Sequence, residues 1–174
     1  MRLNKERKIV NKEYKVDLFS DIFSSFFYTG YIPFASGTWG SLAALIVFLF
    51  PPFYNKWILL AATIVITIVG CYTSAKMMKR YGDDPAEVVI DEVAGQWATI
   101  FIILCFNLPV NNYIMLLVAF ICFRIFDILK LQPAKYFDER DTGTGVMLDD
   151  IAAALYAGLL GAGALYFIHK FTGL

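Results

Sequence analysis

Residues 145–168 read GVMLDDIAAALYAGLLGAGALYFI, an apolar run that carries two adjacent carboxylates, Asp149 and Asp150, near its start. Crossing hydrocarbon about 30 Å thick takes about 20 such residues. An acid at the centre of a span costs about 2.5–3.5 kcal/mol on insertion scales, so these two must lie near the interface or have partners. Two rows of small residues follow them: Ala153, Ala157 and Gly161 continue from Asp149, and Ala154, Gly158 and Ala162 from Asp150. Small residues four apart let helices approach closely, so both carboxylates are expected to point into a helical bundle.

Apolar segments at 38–54, 57–75, 86–106 and 112–129 precede the last one, which covers 147–168. The fold expected is all-α, a polytopic membrane bundle of about five helices. The composition agrees, because 59% of the residues are apolar, above the soluble norm of about 45–50%. The first segment is ended early by Pro51 and Pro52 and is entered through Gly37, Thr38, Trp39 and Gly40, so it reads equally as a re-entrant or tilted helix. Ahead of it, Leu18, Phe19, Ile22, Phe23, Phe26 and Phe27 form a stripe with Asp17, Asp21, Ser24 and Ser25 opposite. That pattern suits an amphipathic helix in the membrane interface or a short helix docked on the bundle. The 174 residues are read as a single domain, with 1–30 a basic and interfacial segment and 36–168 the bundle.

Thirteen of the fifteen Lys and Arg fall on one side of such a bundle, leaving Lys56 and Lys170 for the other. The positive-inside rule then puts the N-terminus in the cytoplasm. The segment after the basic start carries Asp17 and Asp21 and lacks a small-residue cleavage pattern, so no removable signal peptide is expected. A formal net charge of zero gives no footprint for nucleic acid. Cys71, Cys105 and Cys122 lie in apolar sequence without a CxxC pair and read as reduced core residues.

The topology brings several polar clusters to the cytoplasmic face. Asp91 and Glu92 follow Val88, Val89 and Ile90 and are expected about two turns inside a helix, with Asp84 as its cap, Pro85 at its first position and Glu87 completing a capping box. Together with Asp149 and Asp150 they make two adjacent acidic pairs, which would repel one another without a cation among them. Hard oxygen ligands plus water and a substrate phosphate are what Mg²⁺ prefers, so these four are the candidate metal ligands. A buried ion-pair network with Arg124 and Lys130 is the alternative.

Arg124, Asp127 and Lys130 recur every three residues on one helix stripe. An Arg–Asp pair at that spacing contributes only about 0.2–0.5 kcal/mol on an exposed helix, too little to account for both in a membrane segment. Phosphate binding explains them better: Arg grips a phosphoryl group bidentately and Lys adds a point charge. Thr38, with the glycines around it, could present N–H groups and a hydroxyl at a helix start, or serve as a simple N-cap. Lys76, Lys79 and Arg80 form another cytoplasmic cluster, and the polar 138–145 loop reads as a solvated connector or a mobile lid.

The single histidine, His169, lies at the far end of the last segment, and neither Cys-x5-Arg nor Asp-x-Asp-x-Thr occurs. Water activated by the metal, with a carboxylate as base, is the economical mechanism; an aspartyl nucleophile is the other.

At these clusters the sequence resembles the phosphatidylglycerophosphatase A family of bacterial Mg²⁺-dependent lipid phosphatases. The resemblance rests on Gly30-Tyr31-Ile32-Pro33 before Gly37-Thr38-Trp39-Gly40-Ser41, Val89-Ile90-Asp91-Glu92 with Gly95-Gln96, Arg124-Ile125-Phe126-Asp127 with Lys130, and Gly145-Val146-Met147-Leu148-Asp149-Asp150. Ser36 stands where the family usually has Pro, and Lys130-Leu131-Gln132-Pro133 replaces a Lys-Pro-x-Pro. The resemblance implies hydrolysis of phosphatidylglycerophosphate, a phospholipid, to phosphatidylglycerol at the cytoplasmic face of the bacterial inner membrane. Asp91, Glu92, Asp149 and Asp150 would hold the metal, Arg124, Lys130 and Thr38 the phosphate, and Asp127 would orient Arg124 or the water. Rival readings are a small ion or solute transporter, a non-catalytic membrane subunit with a structural charge network, and a phosphatidyl transferase, whose spaced Asp-Gly…Asp signature is missing.

Overall fold

The computed structural model describes residues 8–172 and is all-α. Seven α-helices follow in order among these residues: α1 (Leu18–Ser24), α2 (Ser36–Ala44), α3 (Lys56–Tyr81), α4 (Ile90–Cys105), α5 (Asn112–Leu129), α6 (Ala134–Asp138) and α7 (Gly143–Thr172). Part of the basic N-terminal stretch, residues 1–7, lies outside the described residues.

Three helices, α3, α5 and α7, are long and apolar enough to cross a membrane. Each starts where the sequence supplies a stop on fraying. The Asn55 side chain accepts from the N–H of Trp57 and Ile58 ahead of α3, and the Asn111 side chain accepts from Tyr113 N–H ahead of α5. The Thr142 hydroxyl accepts from Gly145 N–H at the head of α7. Outward faces carry Ile64, Val65 and Ile68 on α3, Leu117 and Ile121 on α5, and Leu155 and Leu159 on α7, all exposed. An apolar band of this kind is penalised in water and satisfied by lipid.

The other two expected spans are shorter than the sequence suggested. The first is α2 followed by 3-10 turns at Leu45–Leu49 and Pro51–Tyr54; Pro51 and Pro52 cannot extend a helix because they donate no N–H. The third, α4, has 16 residues and starts at Ile90, not at 86. The capping box at Asp84 and Glu87 does not form. Asp84 has a positive φ of 47°, and the N-cap of α4 is Val89, without a side-chain cap. Residues 85–89 are instead buried under the N-terminal segment: Val89 N–H donates to Ser24 O at 2.9 Å, and Gly30 lies so close to the Glu87 carbonyl that a Cβ there would collide with it. Tertiary hydrogen bonding takes these residues from the helix that local propensity favours.

Helix α7 runs through the middle, packed against α3, α4, α5 and α6. Its two small-residue rows are buried as expected, with a Cβ on Gly158 falling 2.6 Å from Ile102 of α4. Helix α1 docks on α3 with its polar side: Ser20, Ser24 and Ser25 are buried, while Leu18, Phe19 and Phe27 face out. Three consecutive aromatic residues, Phe26, Phe27 and Tyr28, then adopt positive φ. Such a run is unfavourable for L-residues. Hydrogen bonds from the Ser25 hydroxyl to Asp21 O (2.6 Å), from Tyr28 N–H to the Ser25 hydroxyl (3.1 Å) and from the Thr29 hydroxyl to Phe26 O (2.8 Å) offset the strain.

Candidate active site

The helix ends that carry the polar clusters surround one cavity of about 1220 Å³. Gly37 and Thr38 of α2, Asp91 and Glu92 of α4, Arg124 and Asp127 of α5, Lys130 beyond it, and Asp149 and Asp150 of α7 all line it. Every residue predicted from the sequence to act in the site therefore borders the same space. Because α4 begins late, Asp91 and Glu92 occupy its first turn, not a position two turns in. There the unpaired N–H groups and the helix dipole favour negative charge, which offsets part of the cost of burying two acids.

Asp91, Glu92 and Asp150 are buried and each offers a carboxylate oxygen within 4.8 Å of the other two. Glu92 Oε2 and Asp150 Oδ2 are buried without a hydrogen-bond partner in the protein. Buried carboxylates without partners are costly, and crowding three together adds repulsion. A divalent cation removes both penalties, and an all-oxygen carboxylate set suits Mg²⁺ or a similarly hard ion. The donor set thus fits a metal, while the identity of that metal belongs to the proposal below.

Asp149, the fourth expected ligand, stands outside this cluster. Its Oδ2 accepts from Lys130 Nζ at 2.6 Å and its Oδ1 from the N–H of Asp150 at 2.9 Å. Lys130 sits in the left-handed region at the C-cap of α5 and also pairs with Asp138, at the end of α6. Arg124 pairs with Asp127 at 2.7 Å and donates to the Ser41 hydroxyl at 3.2 Å, which in turn donates to Gly37 O at 2.9 Å. The two cations are thereby fixed in position before any ligand arrives.

Thr38 is the third residue of α2 and not its cap; the cap is Ala35, and Thr38 N–H is spent on Ala35 O at 2.9 Å. Thr38 still borders the cavity. Lys76, Lys79 and Arg80 do not join the site. Lys76 pairs with Asp17, Lys79 lies over the Tyr14 ring, and Arg80 holds the backbone of Val10, Asn11 and Tyr14, so this cluster straps the N-terminal segment to the end of α3. The 138–145 stretch is partly ordered, as the end of α6 and the head of α7.

Four residues that the sequence reading placed only within motifs or a loop have specific positions around the site residues. Gly37 lies where a Cβ would strike Glu92 Oε1 and come within 3.2 Å of Arg124 Nη1. Ser41 ties Arg124 to α2, and Asp138 holds Lys130. Gln96, one turn beyond Glu92, is wholly buried with both amide atoms unpartnered. In the sequence it stood out only as part of the motif that follows Asp91 and Glu92.

Comparison with known proteins finds relatives over most of the chain. Residues 22–165 match the family described as Phosphatidylglycerophosphatase A. A Haemophilus influenzae protein named Phosphatidylglycerophosphatase A is 40% identical, over 75% of this chain and 79% of its own. An Escherichia coli protein of the same name is 36% identical over 82% and 78%. A Bacteroides thetaiotaomicron protein named "Putative phosphatidylinositol-3-phosphatase" is 35% identical over 82% and 91%. No solved structure matches.

Proposed function

The chain belongs to the phosphatidylglycerophosphatase A family, and on that premise we propose that it hydrolyses the terminal phosphomonoester of phosphatidylglycerophosphate, releasing phosphatidylglycerol and inorganic phosphate. The observation that carries the reading is the trio Asp91, Glu92 and Asp150, buried within 4.8 Å of one another beside Arg124 and Lys130. The family and the apolar helices support a lipid substrate and a bacterial membrane location. The positive-inside distribution supports a cytoplasmic N-terminus and site, with α2 and α4 as two further, shorter crossings that bring the count to five.

Asp91, Glu92 and Asp150 would hold Mg²⁺. A bound Mg²⁺ supplies positive charge to the phosphoryl oxygens and acidifies water at the site. Arg124, already oriented by Asp127 and Ser41, grips two phosphoryl oxygens, and Lys130, oriented by Asp149 and Asp138, faces a third. A carboxylate of the cluster accepts the proton of the attacking water and passes it to the glycerol oxygen as the bond from phosphorus to that oxygen breaks. Uncatalysed phosphomonoester hydrolysis is among the slowest reactions known, so fixed charges must supply most of the barrier reduction. The transport reading loses support because the charged side chains gather at one end of α4, α5 and α7, not along a path.

The name of the Bacteroides relative points to a different headgroup, and the test therefore offers both. Purified protein in mixed micelles is given phosphatidylglycerophosphate or phosphatidylinositol 3-phosphate, each with Mg²⁺ or with a chelator. Mg²⁺-dependent phosphate release that favours the glycerol lipid is expected. Preference for the inositol lipid would move the substrate, and no release from either would remove the reading.

A further inference from the structure

The mouth of the cavity is lined unequally. Its lining includes the charged, exposed residues Lys8, Asp83, Lys135 and Asp138. Other lining residues are apolar. Helices α2 and α5 are tied by the hydrogen bond from Arg124 to Ser41, and beyond that tie Ile128 and Leu129 line the cavity from α5, while Ile32 and Pro33 line it from the segment before α2. Leu129 is 56% exposed, and Phe34, next to Pro33 and packed edge-on against Trp39, is 58% exposed. Exposed apolar side chains at the entrance to a polar cavity are paid back only if something apolar lies against them.

We propose that the gap between Pro33–Phe34 and Ile128–Leu129 is a side doorway to the bilayer, in which the glycerol backbone and first methylenes of a lipid phosphomonoester lie while its phosphate reaches Arg124. This deepens the phosphatase reading and rests on it. The occupant follows from the surroundings of the gap. The outer faces of α2, of the 3-10 turn after it and of α5 remain apolar through Leu42, Ile46, Ile121 and Ile125, all exposed. Acyl chains leaving the doorway would run along these faces, and the charged lining residues would meet water. A substrate that is half lipid and half headgroup matches a lining that carries both apolar and charged side chains. A soluble phosphomonoester would gain nothing from the apolar lining residues, so the doorway selects for lipid-borne phosphate.

Two measurements test this on the full-length protein. In the first, phosphate release from phosphatidylglycerophosphate in vesicles is compared with release from the same headgroup without acyl chains. Leu129→Ser and Phe34→Ser change exposed positions, and Val65→Ser, at a lipid-facing position on α3 away from the cavity and the doorway, is the control. The ratio of kcat/KM for lipid to that for the chainless compound is expected to fall roughly tenfold or more in the two doorway variants, as for a lost apolar substrate contact, and to hold in Val65→Ser. An unchanged ratio in the doorway variants, an equal fall in all three, or a wild type that turns over both compounds equally well would overturn the doorway.

The second measurement needs no turnover, so it still decides if the phosphatase reading fails. A lipid phosphomonoester bearing a diazirine near the top of one acyl chain is photolysed in vesicles with the protein. Labelling of peptides containing Phe34 and Leu129 that unlabelled lipid phosphomonoester suppresses is expected. Labelling spread over all lipid-facing helices, or indifferent to the competitor, would overturn the doorway.

Discussion

Glu92 and Arg124 both border the space beside Gly37, where a Cβ would lie 2.3 Å from Glu92 Oε1 and 3.2 Å from Arg124 Nη1. A methyl group at position 37 must push one of them away. Gly37→Ala is therefore expected to lower phosphate release roughly a hundredfold, the scale of an ångström misplacement in an active site. Its thermal stability should fall by no more than the about 1–3 kcal/mol of a modest overpacking, as read by melting in detergent. Unchanged turnover would show that the placement of Glu92 and Arg124 around Gly37 is not part of the machinery. Adjacent acids were the hardest residues to sort from sequence. Asp149 and Asp150 share a chain position to within one residue, yet successive side chains on a helix diverge by about 100°. One therefore turns to Lys130 and the other to Asp91 and Glu92. Nothing in the local sequence records that choice, because it depends on where α4 and α5 stand.

Among the elements, α3, α5 and α7 were legible because an uninterrupted apolar run has few alternatives in a bilayer. The start of α4 was not. Asp84, Pro85 and Glu87 form a sound local helix signal, but Ser24 and Gly30, some sixty residues earlier, claim residues 85–89. Helix α1 was half legible: Ser24 and Ser25 are buried and Leu18, Phe19 and Phe27 face out, while Phe23 and Phe26 of the apolar stripe pack against the core. The strap that leads into it gives a test at this scale. Lys76, followed by Ser20, holds the exposed Asp17 carboxyl well below the usual carboxylate range. A depressed value means that the contact is fully present above the ordinary carboxylate pKa and is lost only as pH falls through the lower one. Protease sensitivity of residues 8–17 should thus stay flat between about pH 5 and 8. Asp17→Asn keeps a good N-cap for α1 while removing the charge. It is expected to raise cleavage in this stretch without shifting the melting temperature. Cleavage equal to that of the wild type would show that the strap is held by its backbone bonds to Arg80 alone.

For the molecule as a whole, the bundle gathers eight carboxylates and only four cationic side chains around one cavity. A dianionic phosphate would be repelled from such a space unless positive charge came with it. The convergence of acids and bases from distant helices was legible, because alternating crossings return every second connection to the same face. The late start of α4 and the turn of Asp149 to Lys130 arise from packing that no single segment encodes. The claim on which everything else depends is that Asp91, Glu92 and Asp150 form a divalent-cation site, and the most direct measurement is the melting temperature of the wild type and of Asp150→Asn with and without Mg²⁺. In chelator, Asp150→Asn should melt no lower than the wild type, since one of three crowded charges is gone. Mg²⁺ at a hundred times its dissociation constant should stabilise the wild type by about 2.7 kcal/mol and leave the variant unmoved. A wild type that melts at one temperature with or without Mg²⁺, or a variant that gains as much as the wild type, would contradict the account.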